Sequence, residues 1–208
     1  MRPKRLMPIM GLLTFFMTST GLCENIDPYD SNAQYAYGEN IGWVNFEPNL
    51  VNINVGAQVS NKKIEGFIWA ENIGWINLSP QHYGGVFNDG CGNLSGYAWG
   101  ENVGWINFSP TVLGDTLNQY RVIIDSEGNF SGWAWGENIG WINFGLSENY
   151  VVACKVTLED LANFVEEWLN SGPDWEADLY YDEKVDFRDY SIFANYWLDY
   201  CPDGWMLK

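Results

Sequence analysis

A stretch of nine residues that occurs four times constrains the fold of this chain more than any other feature. Its shared order is Glu-Asn-Ile/Val-Gly-Trp-Ile/Val-Asn-Phe/Leu, and the copies occupy Gly38–Phe46, Ala70–Leu78, Gly100–Phe108 and Gly136–Phe144. Their tryptophans lie 32, 30 and 36 residues apart, at Trp43, Trp75, Trp105 and Trp141. A fixed motif at such a period predicts a repeat architecture in which neighbouring units bury one another.

Each copy predicts a β-hairpin, and the fourth copy shows why. The runs Gly132–Gly136 and Trp141–Phe144 are short and rich in aromatic and β-branched residues, which is typical of strands. Between them, Asn138–Gly140 suits a three-residue loop that ends on a glycine with positive φ. This register places two sets of side chains on opposite faces: Trp133, Trp135 and Trp141 on one, Ala134, Ile142 and Phe144 on the other.

Both faces of such a hairpin are apolar, so we expect each hairpin to be covered on both sides, by neighbouring repeats or by a partner. Strand-like runs also precede hairpins two to four, at Val55–Val59, Tyr83–Phe87 and Tyr120–Ile124. One unit is therefore predicted to contain about three antiparallel strands. The sequence leaves open whether the units close into a ring or extend as an open array.

The motif tryptophans allow two interpretations. In the first, which we favour, they fill the core while the asparagine closes the turn and the glutamate keeps the loop tip hydrated. In the second, Trp43, Trp75, Trp105 and Trp141 are exposed and stack on sugar rings beside the polar side chains. Over Tyr35–Gly145 the repeated motif resembles a repeat common in exported proteins of environmental bacteria. That resemblance implies no particular activity.

The amino terminus predicts export. Three cationic residues precede the apolar run Met10–Met17, and the small residues of Ser19–Gly21 offer a cleavage zone. Met1–Cys23 is therefore predicted to be a signal peptide, which places the protein outside a bacterial cell or at its surface. The apolar run is too short to span a bilayer, and no later segment is predicted to span one. A net charge of −17 with only 10 Lys and Arg argues against nucleic acid and anionic membranes as partners.

Past Gly145 the sequence contains a duplicated loop and helix at a constant offset of 29 residues. Two apolar stripes at helical spacing superimpose at this offset. The equivalent pairs, which include one aspartate in each half, are Leu158/Phe187, Asp160/Asp189, Leu161/Tyr190, Phe164/Phe193, Trp168/Trp197 and Leu169/Leu198. Cys154 and Cys201 flank these helices and are the candidate disulfide pair of an exported protein.

The loop Asp178–Asp189 matches a twelve-residue calcium loop at several positions. The carboxylates of Asp178, Asp182, Asp186 and Asp189 fall at the first, fifth, ninth and twelfth positions, and the Lys184 carbonyl at the seventh. This predicts one Ca²⁺ site. Tyr180 and Glu183 depart from the pattern, because they replace a ligand and the glycine of the sharp turn.

The corresponding first loop, Asn149–Asp160, is predicted to have lost its metal, since Val151 and Ala153 stand at ligand positions. The 29-residue offset favours a remnant of a calcium loop there. In the alternative, Tyr150–Val152 is a strand that closes the repeat array against the first, incomplete unit.

The two halves resemble a type I dockerin module of the kind found in secreted planctomycete-type proteins. The resemblance covers Val151–Cys201 and is carried by the runs Val185–Tyr190 and Phe193–Leu198. It implies a non-catalytic module that docks onto a cohesin-like protein through its helix faces. It also implies the four aspartates as calcium ligands, and places Phe187 and Arg188 where partner choice is read.

We therefore expect a multidomain protein. The predicted parts are a signal peptide (1–23), an all-β repeat domain of four hairpin or three-stranded units (24–149) and a small all-α, EF-hand-like dockerin module (150–208). The expected function is a secreted structural or adhesive protein attached to an extracellular scaffold through the calcium-supported module. The alternative is a carbohydrate-binding protein within a polysaccharide-degrading assembly. No catalytic motif is visible, and His82 is the one histidine, so no enzyme is expected.

Overall fold

A computed structural model describes residues 25–48, 56–113, 120–146, 150–202, 205 and 207. The predicted signal peptide Met1–Cys23 lies outside the described residues, as does Val55, the first residue of the predicted run Val55–Val59. The elements are β1 Tyr35–Gly38, β2 Gly42–Asn45, β3 Gln58–Val59, β4 Lys63–Glu65, β5 Phe67–Ala70, β6 Gly74–Asn77, β7 Gly85–Asn88, β8 Leu94–Gly100, β9 Gly104–Asn107, β10 Ile123–Ile124, β11 Phe130–Ser131, β12 Trp133–Gly136, β13 Gly140–Asn143, α1 Leu158–Glu166 and α2 Phe187–Asn195.

The four motif copies form four hairpins that close into one barrel. Hairpins 1 to 4 are β1–β2, β5–β6, β8–β9 and β12–β13. Neighbouring strands follow the order β8, β6, β5, β2, β1, β13, β12, β9, and β9 pairs with β8 again within hairpin 3. All these pairings are antiparallel, so the hairpins build a closed eight-stranded barrel. The ring, rather than the open array, is the arrangement formed.

The hairpin turn is close to the predicted one. Gly136 and Gly140 are paired across β12 and β13, so the three loop residues are 137–139, one position earlier than expected. Gly140 has φ +78°, as the predicted bulge requires, and Gly42, Gly74 and Gly104 have φ +73°, +82° and +82°. Only glycine adopts this backbone region without steric cost, which explains why it recurs in every copy.

The barrel interior is filled by the non-tryptophan face of each hairpin. Phe144 lies within 5.5 Å of Phe46 and 5.7 Å of Phe108, centroid to centroid, so rings from three hairpins meet at one end. The buried side chains from the four hairpins are Ala36, Val44, Phe46, Ile68, Ile76, Leu78, Ala98, Ile106, Phe108, Ala134, Ile142 and Phe144.

The apolar residue of each loop closes the other end of the barrel. Ile41, Val103 and Ile139 are buried there. A Cβ added at Gly136 would lie 2.6 Å from Ile139 Cγ1, so the glycine before the loop leaves room for the isoleucine to fold inward. In hairpin 2 an alanine, Ala70, stands at this position, and Ile73 is correspondingly only partly buried.

The motif asparagines tie neighbouring loops together. Asn40 Nδ2 donates to Ile139 O, Asn138 Nδ2 to Val103 O, and Asn102 Nδ2 to Ile73 O, each at 3.0 Å. At the fourth junction the backbone N–H of Asn72 donates to Ile41 O at 3.2 Å. The asparagine therefore binds the adjacent hairpin, where the sequence had suggested that it closes its own turn.

Residues 151–153 close the array at its other edge. Val151 bridges Gln34, Ala153 bridges Ile26, and Val152 bridges Asn129, so the segment lies between the first and fourth units. Val151 and Ala153 are buried. The alternative that placed Tyr150–Val152 against the first unit is the nearer one, although residues 151–153 form isolated β-bridges and no regular strand. The runs that precede the later hairpins contribute only the short strands β3, β7 and β10, of which β7 pairs with β8.

The predicted fold class is wrong for the carboxy-terminal part, which was expected to be a separate all-α, EF-hand-like dockerin module. The described chain is a mostly β protein in which two short helices accompany the closed barrel, and no EF-hand-like dockerin module is evident. Helices α1 and α2 have nine residues each and begin at capping boxes, Thr157 with Asp160 and Asp186 with Asp189. Both helices are short, and they share one small core with the segments around them, which gives two capped helices beside a β-barrel and no all-α module. Among the carboxylates predicted to bind calcium, Asp186 and Asp189 form the capping box of α2, and Asp178 accepts from the N–H groups of its own loop.

The 29-residue duplication is nevertheless visible in the hydrogen bonds. Val156 N–H donates to Asp199 O, and Val185 N–H donates to Asn170 O, both at 3.0 Å. A shift of 29 residues takes Val156 to Val185 and Asn170 to Asp199, so each bond is the counterpart of the other. The two halves therefore pair symmetrically. Their shared core is separate from that of the barrel and consists of Cys154, Val156, Phe164, Ala177, Leu179, Val185, Phe193, Cys201, Trp205 and Leu207.

We expect Asn138→Ala to lower the free energy of unfolding by about 1 kcal/mol, because the Val103 carbonyl loses its side-chain donor. Urea unfolding followed by fluorescence measures this change. Asn72→Ala is the matched control, since its junction uses the backbone and survives the substitution. Equal losses in the two variants would contradict the interlocking role of the asparagine side chain.

We expect Gly136→Ala to destabilise the barrel by about 1–3 kcal/mol through overpacking against Ile139. The same substitution in an Ile139→Ala background should cost less, because the colliding Cγ1 atom is gone. Urea unfolding of the four members of this cycle gives the coupling energy. Strictly additive losses would show that the glycine is required for another reason.

Candidate functional site

The outer wall of the barrel carries an aromatic belt. Every hairpin places three rings there, half-buried or exposed. The interpretation in which the tryptophans fill the core is therefore wrong, because they lie on the opposite face from the buried side chains. The belt consists of Tyr35, Tyr37 and Trp43; Phe67, Trp69 and Trp75; Tyr97, Trp99 and Trp105; and Trp133, Trp135 and Trp141.

Ring pairs across each hairpin hold the belt in place without burying it. Trp99 and Trp105 meet edge to face at 4.7 Å, and Trp135 and Trp141 at 4.8 Å. The pair in hairpin 2 lies at 5.0 Å and that in hairpin 1 at 5.1 Å. Such pairs contribute about 0.5–1.5 kcal/mol each beyond their buried area, so the rings keep fixed orientations while remaining accessible.

We call the line along which two neighbouring hairpins pair a seam. An asparagine of the motif recurs at these seams. The second motif asparagine lies opposite the next hairpin's aromatic residue, as Asn107 does to Trp135 and Asn77 does to Trp99. Asn107 Oδ1 accepts from Ser109 N–H at 2.9 Å and so ends the hairpin in an Asx turn. This bond uses the amide oxygen and fixes the orientation of the side chain at the seam.

Two seams form grooves on the outer wall. Groove A, between hairpins 3 and 4, has a volume of about 690 Å³ and is lined by Tyr97, Trp105, Asn107, Trp135 and Glu137, with Trp99 and Tyr83 beside them. Groove B, between hairpins 2 and 3, has a volume of about 380 Å³ and is lined by Phe67, Trp75, Asn77, Trp99 and Glu101.

The two grooves are copies of one site. In each, one hairpin supplies an aromatic residue, the motif tryptophan and the motif asparagine, and the next hairpin supplies a tryptophan and a glutamate. The other seams differ. Glu71 accepts from the Trp43 backbone N–H at 3.1 Å, and Tyr120 packs on Trp141 at 5.5 Å. Four repeats thus place equivalent residues at four seams, and among the described residues two of these seams form matching grooves.

The structure brings the predicted calcium ligands together in one loop but uses most of them internally. Asp178 accepts from the N–H groups of Asp182 and Glu183, at 3.1 and 2.8 Å. Asp189 accepts from the N–H groups of Tyr180 and Asp186, both at 2.8 Å. Both carboxylates therefore help to fix the conformation of the loop backbone.

The remaining predicted ligands are also engaged, with one exception. Asp186 caps α2 through Arg188 N–H, and Lys184 pairs with Ser171. Asp182 Oδ2 forms an ion pair with Arg188 at 2.6 Å, while its Oδ1 is buried without a hydrogen-bond partner.

The backbone of the loop departs from the usual range at the position of the expected glycine. Glu183 has φ +64°, a conformation that suits the glycine it replaces. Across the described ranges, no group of three or more histidine, cysteine or carboxylate side chains is placed to hold a metal. Calcium therefore stays a prediction from the sequence, and nothing proposed below depends on it.

The two residues predicted to read a partner lie at the start of α2. Phe187 is 76% exposed and contacts the edge of Trp168 at 5.2 Å. Arg188 lies over the Tyr180 ring at 5.3 Å in addition to its ion pair. Both are accessible, but the ion pair holds the guanidinium against its own loop.

Cys154 and Cys201, the predicted pair, form a disulfide at the junction of the helices and the barrel. Asn25 supports this junction: its Nδ2 donates to Cys201 O at 2.7 Å, and its Oδ1 accepts from Val59 N–H at 2.7 Å. Burial raises the pKa of the nearby Tyr200 hydroxyl, which accepts from Asn88 Nδ2 at 3.2 Å.

Of the four tryptophans predicted to stack on sugars, Trp75 and Trp105 line the grooves, whereas Trp43 and Trp141 line neither. The prediction did not include Trp99 and Trp135, nor the groove asparagines Asn77 and Asn107. Their repetition within the motif was the available signal. Asn25 and Tyr200 were missed because no local pattern marks a contact between residues so far apart in the chain.

Comparison with models of protein families, with curated proteins and with solved structures finds no match for this chain. Among the described residues, no helix has the length and apolar character needed to cross a membrane.

We expect reduction of the disulfide to lower the free energy of unfolding by about 2–4 kcal/mol, because it frees a loop between cysteines 47 residues apart. Urea unfolding with and without a thiol reductant measures the loss. The Cys154→Ala/Cys201→Ala variant keeps the free Cys91 and should not respond to reductant. A wild-type midpoint that is unchanged by reduction would contradict this role.

Proposed function

We propose that this chain is a secreted, non-catalytic carbohydrate-binding protein whose barrel holds a neutral polysaccharide in grooves A and B. The observation that carries the proposal is the outward orientation of the aromatic belt. A repeat protein that needed tryptophan only for its core would bury these rings, whereas here small aliphatic residues and phenylalanine fill the interior.

The composition of the grooves supports a sugar as the ligand. Ligand sites combine apolar and aromatic walls with a few polar groups that fix orientation. In groove A the rings of Trp105 and Trp135 offer flat faces for a pyranose, while the Asn107 amide and the Glu137 carboxylate offer a donor and an acceptor for hydroxyl groups. Groove B offers the same set.

Charge favours a neutral ligand. The chain carries a net charge of −17, and the described lining of each groove contains a glutamate and no cationic side chain. An anionic glycan or a phosphate would be repelled by this field, because recognition of anions relies on clustered cations. Neutral hydroxyl groups avoid that repulsion.

The placement of the carboxylates supports binding without catalysis. Glycoside hydrolysis uses two carboxyl groups that flank one scissile bond. Each groove has one glutamate, Glu137 in groove A and Glu101 in groove B. A sugar held in either groove would therefore meet one carboxylate, which suits orientation of a hydroxyl group.

A second function, attachment to another extracellular protein, is supported by the helical part. Leu158 and Phe187 are 73% and 76% exposed, and Leu169 and Leu198 are 72% and 63% exposed. Leu158 and Phe187 occupy equivalent positions in the two halves, and so do Leu169 and Leu198. Exposed apolar residues in such an arrangement favour an interaction surface, which would join the barrel to an adhesive or structural assembly.

The test is titration of the intact protein with neutral polysaccharides, followed by calorimetry and tryptophan fluorescence. We expect a saturable signal, and a roughly tenfold loss of affinity in Trp75→Ala or Trp105→Ala, equivalent to about 1.4 kcal/mol. Trp43→Ala is the matched control, because this motif tryptophan lines neither groove.

Two outcomes would contradict the proposal. One is the absence of a saturable signal with every neutral polysaccharide in the panel. The other is an equal loss of affinity in the control, because that would place binding outside the grooves.

A further inference from the structure

Grooves A and B are contiguous across hairpin 3. Trp99 lines both of them: in groove B it is the tryptophan supplied by the following hairpin, and in groove A it stands beside Trp105. The two rings lie 4.7 Å apart, centroid to centroid, so the aromatic surface is not interrupted between the grooves. One ligand can therefore contact both.

The distance between the grooves sets the size of such a ligand. Equivalent positions in hairpins 2 and 3 are two strands apart in the sheet, which corresponds to about 10 Å. A single pyranose ring does not reach from one groove to the other. A ligand that uses both must contain several sugar units.

The equivalence of the two grooves determines the composition expected of the ligand. Going around the barrel, each groove presents motif tryptophan, asparagine, tryptophan and glutamate in the same order. Two subsites that share these four residues in the same sense can recognise the same unit twice. This favours a polymer of one repeating sugar over a mixed or branched glycan.

The curvature of the barrel wall determines the shape expected of the ligand. The grooves are separated by two strands of a closed ring of eight, so they face directions about a quarter turn apart. A rigid, straight chain that fills one groove would leave the surface before the next. A chain that bends can follow the wall.

Resting on the proposed function, we infer that the ligand is a linear, neutral homopolysaccharide of coiling conformation that runs around the barrel across hairpin 3, with Trp99 as its central platform. Simultaneous occupation of two linked subsites raises affinity without any additional contact, because the second contact becomes intramolecular.

The experiment is calorimetry on the intact protein with two length series of glucose oligomers, the coiling α-1,4-linked series and the straight β-1,4-linked series. For the α-linked series we expect affinity to rise at least tenfold once the chain spans both grooves. The stoichiometry should fall from two short oligomers per protein to one long oligomer. Neither readout requires a variant.

Trp99→Ala should remove the gain in affinity with length, because the aromatic surface between the grooves is then interrupted. Since Trp99 lines both grooves, short oligomers should also bind more weakly, and the diagnostic readout is the ratio of long-oligomer to short-oligomer affinity, which should fall towards one. Trp69→Ala is the matched control: it occupies the equivalent position in hairpin 2 and lines neither groove. Thermal unfolding followed by circular dichroism verifies that both variants fold.

The outcomes separate this inference from the proposed function. Binding that is independent of chain length, or that keeps two oligomers per protein at every length, would overturn the continuous track and leave sugar binding intact. Stronger binding of the straight series would overturn the coiling conformation. Absence of binding by both series and by every neutral polysaccharide would refute the proposed function itself.

Discussion

Closure of the barrel is the constraint on which the other features of this structure depend. The lumen of an eight-stranded barrel is only wide enough for side chains to fill, and here it is filled by alanine, aliphatic residues and phenylalanine. Each hairpin has two apolar faces, and closure assigns one of them to the interior. The bulkier face, with its tryptophans, must then lie outside. The aromatic belt is thus a consequence of topology as well as of composition.

The repeated loop holds this closed arrangement together at one rim. Its isoleucine or valine fills the end of the lumen, its first glycine provides the space, and its asparagine ties each hairpin to the next. At the far side, residues 151–153 link the last unit to the first. Because every unit depends on two neighbours, the ring is expected to fold as one cooperative body.

The rigid wall explains how a repeat protein can present binding sites without a deep pocket. Cross-strand ring pairs fix the tryptophans, and the Asx turns fix the asparagines, so the grooves are preorganised before a ligand arrives. The helical part has its own core and is joined to the barrel by Asn25, Tyr200 and the disulfide. The two parts can thus serve binding and attachment separately.

Local chemistry in the sequence was sufficient to predict the hairpins, the assignment of side chains to two faces, the positive-φ glycine and the 29-residue duplication, since each depends on residues close together in the chain. The pairing of Cys154 with Cys201 was also expected. Only the tertiary structure decided which face turns inward, because that follows from the number of strands that close. It also decided that Asn138 binds a neighbouring loop and that the aspartates of the second loop satisfy their own backbone, since these outcomes depend on partners that no local pattern specifies.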